Sequence, residues 1–356
     1  MKSKPDRPLN RYRIWTQKVV PRPVNPGKEI TDNLTTVLVN PELVDLYSET
    51  DPLKELIVPF QNKVAAGVVL ELPKWLKRGQ VRNYGGRFLQ GLMLSELTQW
   101  FSNKFMVNKR QTALPAMKQE IKRFAEKSGF ALCGFTYIDR RFIAEGRDEK
   151  VPFEIIAILG MEMDKDLLDE IPEPGKKLFD FEVYIKAGIE VNNVAAFIRS
   201  KGYRCRARVP FEGWVKFPPH AINAGLGELG ANGVVITPQF GPRQRWCLIS
   251  VDADIEPDTP VDLGMAAFCD TCRRCIRACP GNAIPEEPFW FRGVYKRKIN
   301  DTLCWPYFVE YDGCGICLKV CPVHQYGYDA CMETFKKSGK IIGRHLKKES
   351  EQNRTI

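Results

Sequence analysis

Cys269, Cys272, Cys275 and Cys279 are spaced C-x2-C-x2-C-x3-C and followed by Pro280. Cys314, Cys317 and Cys321, followed by Pro322, repeat the last three of those positions. Thiolates this close in one loop can occupy three corners of an iron–sulfur cubane, so the spacing predicts two [4Fe–4S] clusters and electron-transfer chemistry. Pairs of C-x2-C also bind zinc, but zinc sites rarely combine this triple spacing with Cys-Pro.

The runs resemble those of bacterial ferredoxins, in which the cysteine before proline serves the other cluster. That wiring implies one cluster on Cys269, Cys272, Cys275 and Cys321, within tunnelling distance of a second on Cys279, Cys314, Cys317 and a fourth ligand. The second run lacks its leading cysteine, because position 311 is Tyr. Cys304 upstream is the natural replacement, with Cys331 as the alternative. Cys133, Cys205 and Cys247 lie in strand-like segments and read as buried apolar residues.

The elements that must position these groups follow from periodicity. Leu114, Met117, Ile121 and Phe124 recur at helical spacing before Gly129, and Ala187, Val191, Val194, Ala195 and Ile198 do so before Gly202. Residues 131–137, 153–159, 233–237 and 246–251 read as strands, and the Asp- and Pro-rich stretch 252–260 reads as a linker. This alternation predicts an α+β (α/β layered) fold. Four segments are expected: an arm and extension over 1–112, a main domain over 113–262, a cysteine-rich domain over 263–330 and a basic tail over 331–356.

Gly225-Leu226-Gly227-Glu228-Leu229-Gly230 matches the dinucleotide fingerprint G-x-G-x-x-G, but no strand precedes it and a strand, not a helix, follows, so a Rossmann site is rejected. Its glycines still permit close backbone approach to a bulky ligand.

Residues 224–230, the segment Ile236-Thr237-Pro238-Gln239-Phe240-Gly241-Pro242-Arg243-Gln244-Arg245 and the two cysteine runs, in this order, resemble cobalamin-dependent reductive dehalogenases and their relatives, the epoxyqueuosine reductases. The resemblance covers about residues 115–325. It implies a nitroreductase-like cobalamin domain followed by a double-cluster ferredoxin-like domain. One cluster would lie beside the corrin and the other would receive electrons from outside. The dehalogenase branch fits better, because Glu228-Leu229-Gly230-Ala231-Asn232 replaces the Trp-x-Gly-Lys-Asn of epoxyqueuosine reductases, and Arg-Asp-Tyr-His is absent.

The same resemblance implies residue roles. Gly225, Leu226, Gly227, Glu228, Gly230, Thr237 and Gly241 are the expected cobalamin contacts. A tyrosine is the expected proton donor, and Tyr184 is the candidate, with Tyr203 and Tyr137 as competitors. Arg243 and Arg245 are candidate cationic partners, since a cation lowers a phenol pKa and steadies the phenolate. The three histidines include no Asp-x-His-x-x-Gly motif, so base-off cobalamin is expected. Trp214, Phe217 and Trp246 either wall a flat cofactor or pack the core, and His220 either lines the pocket or is a capping or surface residue.

The 356-residue chain is 44% apolar, as a globular protein should be, and carries a net charge of +10 concentrated at its ends. Basic ends suit an anionic partner: tRNA, a lipid headgroup or an acidic electron donor such as a ferredoxin or flavodoxin. With no apolar leader or spanning segment in view, the protein is expected in the cytoplasm. Its apolar, helix-spaced segment 88–105, which follows the basic residues Lys74, Lys77, Arg78 and Arg82, either docks on the protein's own core or makes peripheral membrane contact. The expected function is a cobalamin-dependent reductase of a small organic substrate. The alternatives are an epoxyqueuosine-type tRNA-modifying reductase and an electron carrier without corrinoid.

Overall fold

Met117, Ile121 and Ala125, successive turns apart, are the buried face of helix α1 (Pro115–Lys127), which ends at Gly129 in the left-handed conformation (φ 87°). Strands β1 (Leu132–Tyr137) and β2 (Ile155–Glu162), the short α2 (Lys165–Asp169), the long α3 (Phe181–Ser200) and β3 (Cys205–Arg208) follow. Next come α4 (Phe217–Asn223), β4 (Glu228–Leu229), β5 (Val235–Ile236) and β6 (Gln244–Val251). The computed structural model describes Leu97, Trp100 and residues 115–143, 148–171, 181–210, 215–291, 294–311 and 314–343. The expected basic arm, nearly all of the 88–105 helix, Trp214 and the end of the basic tail lie outside the described residues. Leu97 and Trp100 are helical and exposed.

Strands β1, β2, β6 and β3 form one antiparallel sheet in that order. Both faces are covered, so the two central strands are almost continuously apolar instead of alternating. Ile155, Ala157 and Leu159, with Cys247, Ile249 and Val251, pack with residues of α1 and α3. Ile156, Ile158, Trp246 and Leu248 share the other cluster with Phe217, Ala221 and Ile222 of α4. This mixed helix-and-sheet architecture agrees with the expected class.

Two local expectations need correction, and one helix is added. The strand expected over 233–237 is only the two residues of β5, paired with β4. Residues 217–223, to which no element was assigned beyond the absence of a strand, form α4, whose two prolines occupy the first turn, where no amide hydrogen is needed. The stretch 252–260 is no free linker. Asp258 accepts the Phe135 amide at 2.9 Å and pairs with Lys118 and Lys122 at 2.6 and 2.9 Å, which fastens it to β1 and α1.

The cysteine-rich part contains α5 (Met265–Cys272), α6 (Arg274–Ala278), β7 (Phe289–Phe291), β8 (Val294–Lys296) and α7 (Asp301–Glu310). It ends with α8 (Ile316–Lys319), α9 (Pro322–Tyr326) and α10 (Tyr328–Ser338). Leu318 of α8 enters the core cluster shared with α1 and α3, joining the two parts through apolar contact. Among the described residues, no helix is long and apolar enough to cross a membrane.

Candidate functional site

The turns between the short helices bring the cysteines together. Arg273, at φ 53°, separates α5 from α6, so Cys269 and Cys272 lie on one helix and Cys275 on the next. A left-handed conformation costs a non-glycine residue about 1 kcal/mol. Bonds from the Arg273 side chain to Glu286 and Glu287, at 3.2 and 2.9 Å, hold the turn. Cys279 (φ −68°, ψ 114°) and Cys321 (φ −66°, ψ 124°) share the extended conformation that a following proline favours. Gly281 completes the first of these turns: a side chain there would collide with the Leu303 carbonyl and the Tyr307 ring of α7.

Electrostatic proximity links the thiols within and between the two expected sets. Burial and then the charges of Cys275, Cys321 and Cys272 push the Cys269 thiol up, and Cys275 rises to about 12 through burial, Cys321 and Cys272. Burial likewise raises Cys317, whose sulfur neighbours are Cys275, Cys314, Cys304 and Cys279; Cys314 in turn feels Cys279. Cys275 and Cys317 are thus the point where the sets meet. Backbone amides of Val323 and His324 bond to Cys321, that of Ile316 to Cys314, and that of Ala283 to Cys279 at 3.3 Å. Among the described residues, no three His, Cys, Asp or Glu side chains converge as ligands of a single ion would.

The Gly-rich segment lies against these sets. The Ala231 amide bonds to Cys269, and Asn232 Nδ2 donates to the Cys317 carbonyl at 3.3 Å. The close approaches permitted by the glycines are to the chain itself. A side chain on Gly225 would strike the Thr259 carbonyl, one on Gly227 the Ile236 carbonyl, one on Gly230 Asn232, and one on Gly241 the His324 amide. Leu226 packs on the α4 cluster, and Thr237 is buried and accepts the Phe240 amide at 3.2 Å. What the segment leaves open is polar: Asn223 Oδ1, Glu228 Oε1 and Asn232 Oδ1 are buried without a partner, as are Arg243 Nε and His324 Nδ1. Buried orphans of this kind call for a polar occupant.

Glu228 bridges the two parts, accepting the Met265 amide at the start of α5 at 2.8 Å. Burial pushes its carboxyl up from 4.5 to about 7, against the pull of the Met265 and Leu263 amides. The folded protein holds this proton where the unfolded chain has lost it. The associated stability, on the order of 3 kcal/mol, is complete below pH 4.5, declines as pH rises and is gone above about pH 7. Glu228→Gln cannot ionise, so the urea midpoint of the parent should fall relative to this variant between pH 5 and 8. A pH-independent difference between the two would exclude Glu228 as the titrating group.

Of the two candidate cations, Arg245 meets Tyr184: its guanidinium carbon lies 5.0 Å from the centre of the half-buried phenol ring, near the start of α3. Arg243 instead pairs with Glu162 and donates to the Met163 carbonyl at 3.1 Å. Tyr203 is buried in the core, and Tyr137 is exposed at the end of β1. His220 is not a surface residue. It is fully buried, with Nε2 accepting the Asp139 amide at 3.0 Å and Nδ1 2.8 Å from the Lys216 carbonyl oxygen. Phe217 and Trp246 pack the core.

The sequence reading missed the Asp169–His324 pair, with Nε2 and Oδ1 2.7 Å apart. Burial pushes the Asp169 carboxyl up, but bonds from Lys165 and His324 outweigh it and hold the group below its ordinary value. Lys319 also donates to the Asp169 carbonyl at 2.5 Å, which ties α2 to α8 and α9. No motif links residues so far apart in the chain, and only the fold unites them.

The 4Fe-4S dicluster domain family matches residues 268–325. The chain is 31% identical over 178 residues to the tetrachloroethene reductive dehalogenase of Sulfurospirillum multivorans, covering 48% of this chain and 35% of that protein. It is 31% identical over 120 residues to the epoxyqueuosine reductase of Lactococcus garvieae, covering 30% of this chain and 31% of that one. A solved reductive dehalogenase, whose structure is described as suggesting a mechanism for B12-dependent dehalogenation, superposes with a TM-score of 0.56 at 23% identity. That match covers 61% of this chain and 33% of the other, and shows a shared fold. The chain spans about a third of the length of the curated relatives described. By sequence identity, its homologues include reductive dehalogenases and an epoxyqueuosine reductase.

Proposed function

We propose that this chain is a cobalamin-dependent iron–sulfur reductase that passes electrons through two [4Fe–4S] clusters to a corrinoid and reduces a small organic, halogenated substrate. The observation that carries the reading is the gathering of the thiols of both runs beside one another, with Ala231 and Asn232 joining them to the Gly-rich segment. One cluster falls to Cys269, Cys272, Cys275 and Cys321, and the other to Cys279, Cys304, Cys314 and Cys317. An external carrier of the ferredoxin or flavodoxin kind would feed the second.

Residues 113–262 would form the nitroreductase-like cobalamin domain and 263–330 the ferredoxin-like one. A bound corrinoid would supply a low-potential centre able to attack or bind a substrate atom. The unpartnered atoms of Asn223, Glu228, Asn232 and Arg243 suit its amide-rich periphery. Tyr184 would deliver the proton, and the guanidinium of Arg245 would steady the phenolate left behind.

Anaerobic reconstitution with iron, sulfide and cobalamin, followed by metal analysis, tests the reading: about eight irons per chain are expected for two cubanes, together with retained cobalt. Electron paramagnetic resonance of the Co(II) form should lack nitrogen superhyperfine splitting, because no Asp-x-His-x-x-Gly motif offers a lower ligand. Eight irons without cobalt would leave an electron carrier and remove the corrinoid. Axial nitrogen splitting would overturn the base-off state.

A further inference from the structure

The proposed wiring makes Cys321 the exposed point of the first cluster. Cys269, Cys272 and Cys275 stand within one short run, whereas Cys321 comes from the second run and depends on how that run is held. The residues around it are tied to the short helix α2 of the main part. His324 of α9, its side chain fully buried, has Nε2 2.7 Å from Oδ1 of Asp169 at the end of α2. Lys319 of α8 donates to the Asp169 carbonyl at 2.5 Å and to the Ile171 carbonyl.

Each contact has a physical reason to be firm. Carbonyls at a helix C-terminus lack partners within the helix and attract a cation, so the ammonium of Lys319 caps α2. Leu168 and Ile171 share one apolar cluster with Leu318 of α8. The turn at Gly241 also presses on α9: a side chain there would come within 3.0 Å of the His324 amide nitrogen and 3.2 Å of the Val323 carbonyl carbon. The start of α9 is therefore fixed by both Asp169 and this turn. The amides of Val323 and His324 in that first turn bond to Cys321, so holding α9 also holds two donors at the ligand sulfur.

We propose that Asp169 is a positioning residue for the first cluster: through His324 it holds the start of α9, and so keeps Cys321 in place as the fourth ligand. The inference rests on the wiring proposed above. Removing the carboxylate releases His324 but spares the Lys319 bonds, which go to backbone oxygens, so α8 and Cys317 stay anchored. The effect falls on the first cluster and leaves the second alone. The other carboxylate oxygen pairs with Lys165 at 2.6 Å, a contact internal to α2 that serves as a control.

The test follows anaerobic release of iron to excess bathophenanthroline disulfonate from reconstituted parent, Asp169→Ala, Asp169→Asn and Lys165→Ala. Asn keeps an oxygen acceptor for His324, whereas Ala removes it. In Asp169→Ala, half of the iron should leave about ten- to a hundredfold faster, the shift in opening expected when one hydrogen bond to a charged group is lost. Lys165→Ala should stay within about threefold of the parent, and Asn should lie nearer the parent than Ala. In a Cys304→Ala background, which keeps the first cluster alone, all of the iron should leave faster when Asp169 becomes Ala. In a Cys272→Ala background, which keeps the second alone, none should. The electron paramagnetic resonance signal of the reduced first cluster should change in Ala and recover in Asn, which a general loosening of the fold would not produce. If Asp169→Ala does not load with iron, His324→Gln, which keeps a donor, compared with His324→Leu carries the same decision. Equal release from Ala and Asn, or from Gln and Leu, or faster loss of both clusters together, would overturn the inference. A Cys304→Ala protein that does not hold about four irons removes the wiring, whereas one that holds them and releases them at the same rate with Asp169 or Ala removes only this role of Asp169.

Discussion

Cys304→Ala should lose about half of the iron and acid-labile sulfide of the reconstituted protein, from about eight to about four of each per chain. Cys304 lies in the first turn of α7, its amide donating to the Asn300 carbonyl at 3.0 Å. That turn is pressed against the Cys279-Pro280-Gly281 turn, where Gly281 leaves no room for a side chain beside Leu303 and Tyr307. Cys304 is also among the sulfur neighbours of Cys317, together with Cys314 and Cys279. Losing one of four thiolates exposes an iron and releases the cluster, while the set around Cys269 keeps all its members. Cys247→Ala is the control. Its thiol is buried in the sheet, among apolar residues of β2 and α3, and its loss should leave iron unchanged. Four irons missing from Cys247→Ala, or eight retained in Cys304→Ala, would refute the assignment of the displaced ligand.

Tyr184→Phe should keep both clusters and bound corrinoid but lower turnover by about a hundredfold or more, the usual scale for a lost general acid. Phe preserves the ring and its contact with Arg245, so packing along α3 is retained and only the ionisable hydroxyl is removed. The guanidinium over the ring matters because a cation favours the phenolate formed when the proton leaves. A panel of halogenated phenols and alkenes provides the assay. Turnover near the parent value would remove Tyr184 from the mechanism and leave Tyr203 or Tyr137 as donor. A parent that turns over none of these compounds would leave the clusters standing and remove the dehalogenase reading itself.

Much of the fold was legible because local signals were strong. The helix-spaced Leu114, Met117, Ile121 and Phe124 marked α1, Gly129 and Gly202 marked the ends of α1 and α3, and apolar runs marked β1, β2 and β6. The short β3 and α4 were missed. Four strand residues with alternating arginines, and a helix opening on two prolines, carry little periodicity of their own and are held by the sheet and the apolar cluster they join. The Asp- and Pro-rich stretch looked like a linker because its partners, Lys118, Lys122 and Phe135, lie more than a hundred residues away.

The sequence by itself determined the chemistry of the C-terminal part, because cluster ligation depends on thiolates at short, fixed spacings and on prolines that restrict the residues before them. Tertiary structure alone decided which distant groups meet. It set Arg245, not Arg243, against Tyr184, joined Asp169 to His324, and packed Cys331 into the apolar cluster of Met265 and Phe268. It also directed the glycines of 225–230 at the chain's own backbone and left Asn223, Glu228 and Asn232 with open polar atoms. The physical reason is range: backbone turns and metal spacing are set by neighbours in the chain, whereas burial, charge pairing and unmet hydrogen bonds exist only once the sheet and the small helices have packed together.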